Sequence, residues 1–125
     1  MDEVPLPHRA LAELLGSAFL AATVVGSGIA AAQLSPGDTG LELLENAAAT
    51  AAGLFTFILM FRPISGAHFN PIVSLVDVAL GGRSRRDLLA YVPAQVAGCV
   101  LGAIVANAMF GLAAISISTD RKSVV

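Results

Sequence analysis

The sequence predicts an all-α membrane protein of three transmembrane helices plus one re-entrant half-helix. Three observations predict it. Of the 125 residues, 56% are hydrophobic and 13% charged, with a positive mean hydropathy, a balance unlike that of soluble domains. Three apolar runs are each long enough to cross a hydrocarbon core of ~30 Å. Between the second and third, Asn70-Pro71 opens a fourth apolar segment that is too short to cross.

Residues 1–9 read as a polar, Pro-containing tail. The first span covers residues 10–34, interrupted by Glu13 and softened by Gly, Ser and Thr. A cleaved signal peptide is the weaker reading, because acidic Asp2 and Glu3 precede an overlong apolar stretch. Residues 35–40, Ser-Pro-Gly-Asp-Thr-Gly, form a compact turn. The second span runs over 41–61, with Glu42 and Glu45 where a helix N-terminus favours acids, and Arg62-Pro63 is expected to end it.

A re-entrant loop and half-helix follow over 63–80. Asn70 is a helix cap and Pro71 is preorganised for the first helical position, where its missing N–H costs nothing. The segment then runs apolar to Leu80 and stops at Gly81-Gly82. Ten residues make about 15 Å of helix, half of the hydrocarbon core. Irregular backbone at that depth is tolerated only where protein buries it or water wets it. A helix starting with Asn-Pro in mid-membrane is therefore a pore-lining device. Residues 83–87 read as a polar connection, the third span covers 88–110, and 111–125 form a tail carrying Arg121 and Lys122.

The 35–40 turn has no Lys or Arg, whereas the 62–86 connection carries Arg62, Arg83, Arg85 and Arg86. The positive-inside rule places that connection and the N-terminus in the cytoplasm, and the C-terminus outside, in a multi-pass protein of the cell membrane. Small residues recur every fourth position: Ala18, Ala22, Gly26 and Ala30 on the first span, Ala94, Gly98, Gly102 and Ala106 on the third, and Ala48 and Ala52 on the second. Such stripes let helix backbones approach closely in lipid.

Glu13 and Gln95 are the polar residues well inside the first and third spans. A lone intramembrane acid faces the bundle interior with a partner, and the loop at 65–70 has backbone N–H groups that need acceptors. Glu13 therefore reads as a brace for the loop rather than a proton relay. His68 reads as held by packing, with its carbonyl contributing more than its ring. With Cys99 and Asp77 it shows no metal-ligand spacing, and Cys99 reads as a small buried hydrophobe. No nucleophilic constellation, phosphate loop or dinucleotide fingerprint is present. The net charge of −2 gives no reason to expect nucleic acid. Neither an enzyme, a metal nor a cofactor is expected.

Four places in register, Ala12-Glu13-Leu14-Leu15-Gly16-Ser17, Ser65-Gly66-Ala67-His68-Phe69-Asn70-Pro71, Tyr91 with Ala94-Gln95, and the Gly98/Gly102 pair, resemble the N-terminal half of an aquaporin or aquaglyceroporin (major intrinsic protein) family member. The resemblance covers the first 110 residues, so 10–110 would be an aquaporin-like half-domain. It implies a pore lined by Gly66, Ala67, His68, Asn70, Pro71 and Ile72. The carbonyls of Gly66, Ala67 and His68 would form an acceptor ladder leading to the Asn70 amide, with Glu13 and Gln95 bracing the loop. It also implies tetramers.

Two departures qualify it. The family's Asn-Pro-Ala motif has Ile72 in its third place, where extra methylenes would crowd a matching motif; overpacking of this kind costs ~1–3 kcal/mol. The second half, with its own Asn-Pro-Ala loop and filter arginine, is not in this sequence. Three readings follow: a channel half working with a complementary chain, a homo-oligomer built from both orientations, or a truncated, non-conducting membrane protein with a structural or interaction role. The arginine bias argues against dual orientation. A conducting form would sit in the lipid bilayer and pass water, glycerol or uncharged metalloid acids. The stretch Val24-Val25-Gly26-Ser27-Gly28-Ile29 resembles bacterial members linked to metalloid efflux.

Overall fold

Four helices follow one another in a computed structural model that describes residues 3–115: α1 (Leu6–Leu34), α2 (Thr39–Ser65), α3 (Pro71–Ala79) and α4 (Arg85–Met109). All the described regular structure is helical. α1, α2 and α4 are long and apolar enough to cross a membrane, and α3 is not. The chain is thus a multi-pass membrane protein with a short fourth helix of the re-entrant kind.

The boundaries differ from the sequence reading where a proline or a cap decides them. α1 begins at Leu6, inside the expected tail, because Pro7 sits in the first turn and gives up only an N–H that had no partner. α2 does not end at Arg62-Pro63. It continues to Ser65 and closes on Gly66, whose φ of 93° lets its N–H reach the Arg62 carbonyl at 3.0 Å. Pro63 forfeits one bond on an exposed face, which the helix tolerates two residues before its end. α4 starts three residues earlier than expected. Ser84 and Asp87 form a reciprocal capping box that draws Arg85, Arg86 and Asp87 into the first turn. Asn70 caps α3, its Oδ1 accepting from the Ile72 N–H at 2.8 Å.

The helices form a row rather than a closed bundle. α1 packs on α2 along one side and on α4 along the other, while α3 packs on α4 alone. Gly98 and Gly102 set the α1–α4 distance: a methyl group on either would overlap a main-chain carbonyl of α1, that of Leu14 or that of Ala18. Nothing in a backbone carbonyl can step aside, so these positions admit only glycine. Further along, the helices diverge. A methyl group on Gly26 would meet the Phe110 ring and Ala106 only at ordinary distances of 3.7 and 3.9 Å, and with Ala22 and Ala30 Gly26 lines an apolar groove of about 540 Å³ rather than a close seam. Ala48 and Ala52 are exposed. α2 meets α1 instead through Gly53 beneath Thr23 and through Asn46, whose Nδ2 donates to Ser27 Oγ at 2.9 Å and to the Val24 carbonyl at 3.0 Å.

The buried interior is small and unusually polar. Ala12, Phe61 and Phe69 make its apolar cluster, with Leu20, Phe57 and Ile58 against it. Beside that cluster, Glu13, Ser17, Ser65, Ser74, Tyr91 and Gln95 are all fully enclosed. Most large apolar side chains face outward, as lipid contact requires.

Candidate functional site

The segment from Ser65 to Asn70 carries the site. It reverses direction in six residues by placing Gly66, Ala67 and Phe69 at φ of 93°, 54° and 55°. Left-handed backbone at the two non-glycine positions costs roughly 1–2 kcal/mol each. That strain persists because the surrounding helices hold the loop at several points.

Glu13 is the main holding point. Its Oε1 accepts from Ser65 Oγ at 2.6 Å and the His68 N–H at 3.0 Å; its Oε2 accepts from the Phe69 N–H at 2.7 Å and Gln95 Nε2 at 2.8 Å. One buried carboxylate thus takes four donors, two of them backbone amides that the strained loop cannot pair internally. Gln95 Nε2 also donates to Ser74 Oγ at 2.8 Å, tying the loop brace to α3. The His68 ring is held by more than packing. Its Nδ1 lies 2.9 Å from Ser74 Oγ, its Nε2 3.7 Å from Asp77 Oδ2, and the ring stands edge-on to Tyr91 at 5.5 Å. Tyr91 Oη donates to the Ser65 carbonyl at 2.7 Å, and Arg83 Nη2 donates to the same oxygen at 3.2 Å.

Phe69 anchors the other side. Its ring occupies the space a side chain at Gly16 would need and meets Phe61 edge-to-face at 5.9 Å. With Phe69 turned inward, the opposite edge of the loop faces outward. Among the described residues, the carbonyl oxygens of Gly66, Ala67 and His68 receive no hydrogen bond. Asn70 is exposed, and because its Oδ1 is engaged in capping, its Nδ2 is left as a free donor. An open trough of about 360 Å³ runs past Ala67, His68, Phe69 and Asn70 but not Gly66, with Leu20, Leu54 and Ile58 forming its apolar wall and the 67–70 segment and Val73 the other. Pro71 is half-buried, and Ile72 stands 65% exposed at the tip of α3.

The residues singled out by sequence therefore converge in part. Glu13, Gln95 and the loop meet directly, whereas Ala22 and Gly26 lie in a separate groove. Ser74, Tyr91 and Arg83, to which the sequence reading gave no part in holding the loop, belong to the network. Ser74 and Asp77 stand three apart on an apolar half-helix, a periodic polar signal. The Tyr91 hydroxyl had to find a buried partner. Cys99 is exposed on α4, not buried. No group of three or more His, Cys, Asp or Glu side chains that could hold a metal ion occurs among the described residues.

Comparison with known families matches residues 1–123 to the major intrinsic protein model. The chain belongs to the major intrinsic protein family. It is 48% identical over 123 residues to an aquaglyceroporin, AqpS, of Rhizobium meliloti (strain 1021), covering 98% of this chain and 52% of that protein. It is 40% identical over 106 residues to Aquaporin-10 of Milnesium tardigradum, covering 84% and 25%. Against an aquaglyceroporin of Toxoplasma gondii it is 35% identical over 96 residues, covering 76% and 35%. The chain spans about half, or less, of the length of these relatives.

Proposed function

We propose that this chain forms one half of a passive transmembrane pore for water or small neutral solutes, glycerol and uncharged metalloid acids among them. One observation carries the reading: Ala67 and His68, whose carbonyls are unpaired, and Asn70, whose amide is free, border the same open trough, opposite an apolar wall. A molecule entering single file loses its hydrogen bonds to bulk water, and a row of acceptors ending in a donor replaces them. The apolar wall offers nothing to hold the solute, so exchange stays fast. The N-terminus of α3 lies at the Asn70 end, and its partial positive charge disfavours cations. In the completed pore Gly66, Ala67, His68, Asn70, Pro71 and Ile72 form the lining, Glu13 and Gln95 keep the loop in place, and no bond-making chemistry is involved.

The pore is completed by another polypeptide, a complementary half or a second copy. Support comes from α3, which packs on α4 alone and leaves Ile72, Val73, Leu75 and Val76 exposed. The trough is open along its length for the same reason. Ile72 stands at that unfilled contact, so its extra methylenes meet the second polypeptide.

The test is stopped-flow permeability to water and glycerol in proteoliposomes. These hold this chain alone, or with the C-terminal half of the Rhizobium aquaglyceroporin. Asn70→Asp is the control: aspartate caps a helix as well as asparagine, so α3 is retained while the amide donor is lost and a charge is added. Flux above empty liposomes in either preparation, lost in Asn70→Asp, is the expected result. No flux in either, with inserted and helical protein, refutes the proposal.

A further inference from the structure

Arg9 is an arginine in the first turn of a membrane-crossing helix, yet its side chain is only 7% exposed. It lines a polar cavity of about 360 Å³ together with Glu3, Leu6, Arg83, Arg86 and Asp87, away from the loop trough. Arg9 Nη1 lies 3.0 Å from Asp87 Oδ1, and Asp87 is itself committed to capping α4. Glu3 is different. Its side chain is 68% exposed and precedes α1, and its Oε1 sits 2.8 Å from Arg83 Nη1 and 3.8 Å from Arg9 Nη2. Arg86 makes no ion pair among the described residues.

An exposed carboxylate tethered between two guanidinium groups marks where an oxyanion fits. With Glu3 swung aside, the cavity presents three guanidinium groups against one carboxylate, an excess of two positive charges. Guanidinium is the group best matched to phosphate oxygens. The position suits such a ligand as well. α1 and α4, at 29 and 25 residues, are about 43 and 37 Å long, so their N-terminal ends rise past a ~30 Å hydrocarbon core into the headgroup layer.

We infer that this cavity binds a phosphate group, the chemistry shared by an anionic lipid headgroup and a soluble phosphate, in exchange for the Glu3 carboxylate. The site does not depend on the pore reading. It makes the arginine cluster a lipid or phosphate anchor beside Arg83, which reaches from the cavity to the Ser65 carbonyl of the loop.

The experiment is calorimetric titration of the purified full chain in neutral detergent with short-chain phosphatidic acid, with phosphatidylcholine of equal chain length, and with inorganic phosphate. Saturable one-to-one binding of phosphatidic acid with inorganic phosphate silent assigns a lipid headgroup, and binding of both assigns the phosphate group alone. Arg86→Gln weakens the affinity about tenfold, one charge-assisted hydrogen bond's worth. Glu3→Gln tightens it by removing the competitor. Arg85→Gln, one position away and outside the cavity, leaves it unchanged. All three positions are exposed, and circular dichroism confirms each variant's helicity. Absence of saturable binding overturns the inference. So does an Arg85→Gln loss equal to that of Arg86→Gln, which would mean diffuse surface charge, or an affinity indifferent to Glu3→Gln.

Discussion

Replacing Glu13 by glutamine keeps the length of the side chain but turns one of its two acceptor oxygens into a donor. The four groups that now point at that carboxylate are all donors, at 2.6 to 3.0 Å. If the new NH2 takes the Oε2 place, Gln95 can flip its amide, because its own Oε1 is unpartnered, and Ser74 can turn its hydroxyl to match. The Phe69 N–H cannot turn. If the NH2 takes the Oε1 place, Ser65 can rotate and the His68 N–H cannot. Either way one buried backbone N–H loses its acceptor, and the remaining bonds are no longer charge-assisted. An unsatisfied buried donor costs about 1–3 kcal/mol, and the lost charge adds to it, so about 2–3 kcal/mol is expected from the loop. The strain at Ala67 and Phe69 is borne by the same contacts, so the loss falls on opening of residues 65–70 rather than on the whole chain. Amide hydrogen exchange read by mass spectrometry over residues 65–74 measures this directly. At a factor of ten per 1.4 kcal/mol, exchange should quicken about 30- to 150-fold, while α1 and α2 outside the loop change little. Unaltered exchange in Glu13→Gln would refute the view that this carboxylate holds the loop.

The other expectations are simpler to state. Gly102→Val should drive α1 and α4 apart, because its methyl groups meet the Ala18 carbonyl; a cost of about 1–3 kcal/mol or more is expected, seen as a lowered midpoint in a circular-dichroism melt in detergent. A melt equal to that of the parent chain would show that the seam is not tight. The arginines at one end of the row predict that a thiol reagent confined to the outside of cells labels a cysteine placed at Gly37 and not one placed at Gly81, with the native Cys99 replaced by Ser. Equal labelling at both sites would mean mixed orientation. The flux test of Asn70→Asp and the phosphate titration stand with the proposals they examine.

Much of this architecture was legible because lipid makes demands that sequence records locally. Run length separates the three crossing helices from α3, and Asn70-Pro71 announces a helix start through chemistry confined to one turn. The acid at residue 13 also had to have partners, since an unpartnered one in lipid is costly. Backbone N–H groups of the loop were expected among its donors, and His68 and Phe69 supply them, but the full set of four is a different matter. Ser65, His68, Phe69 and Gln95 lie 52 to 82 residues away, and only the packing of α1 against both α2 and α4 brings them to one carboxylate. The same holds for Tyr91 and Arg83 meeting at the Ser65 carbonyl. The small-residue stripes show the limit most clearly. All have the right spacing, but Gly98 and Gly102 form a seam, Gly26 lines a groove, and Ala48 and Ala52 face outward. Helix spacing says which residues share a face, whereas the crossing of two helices decides where along that face they touch. The sequence by itself determined the elements and their polarity. The tertiary structure decided which carbonyls stay unpaired, because that depends on which donors the neighbouring helices deliver.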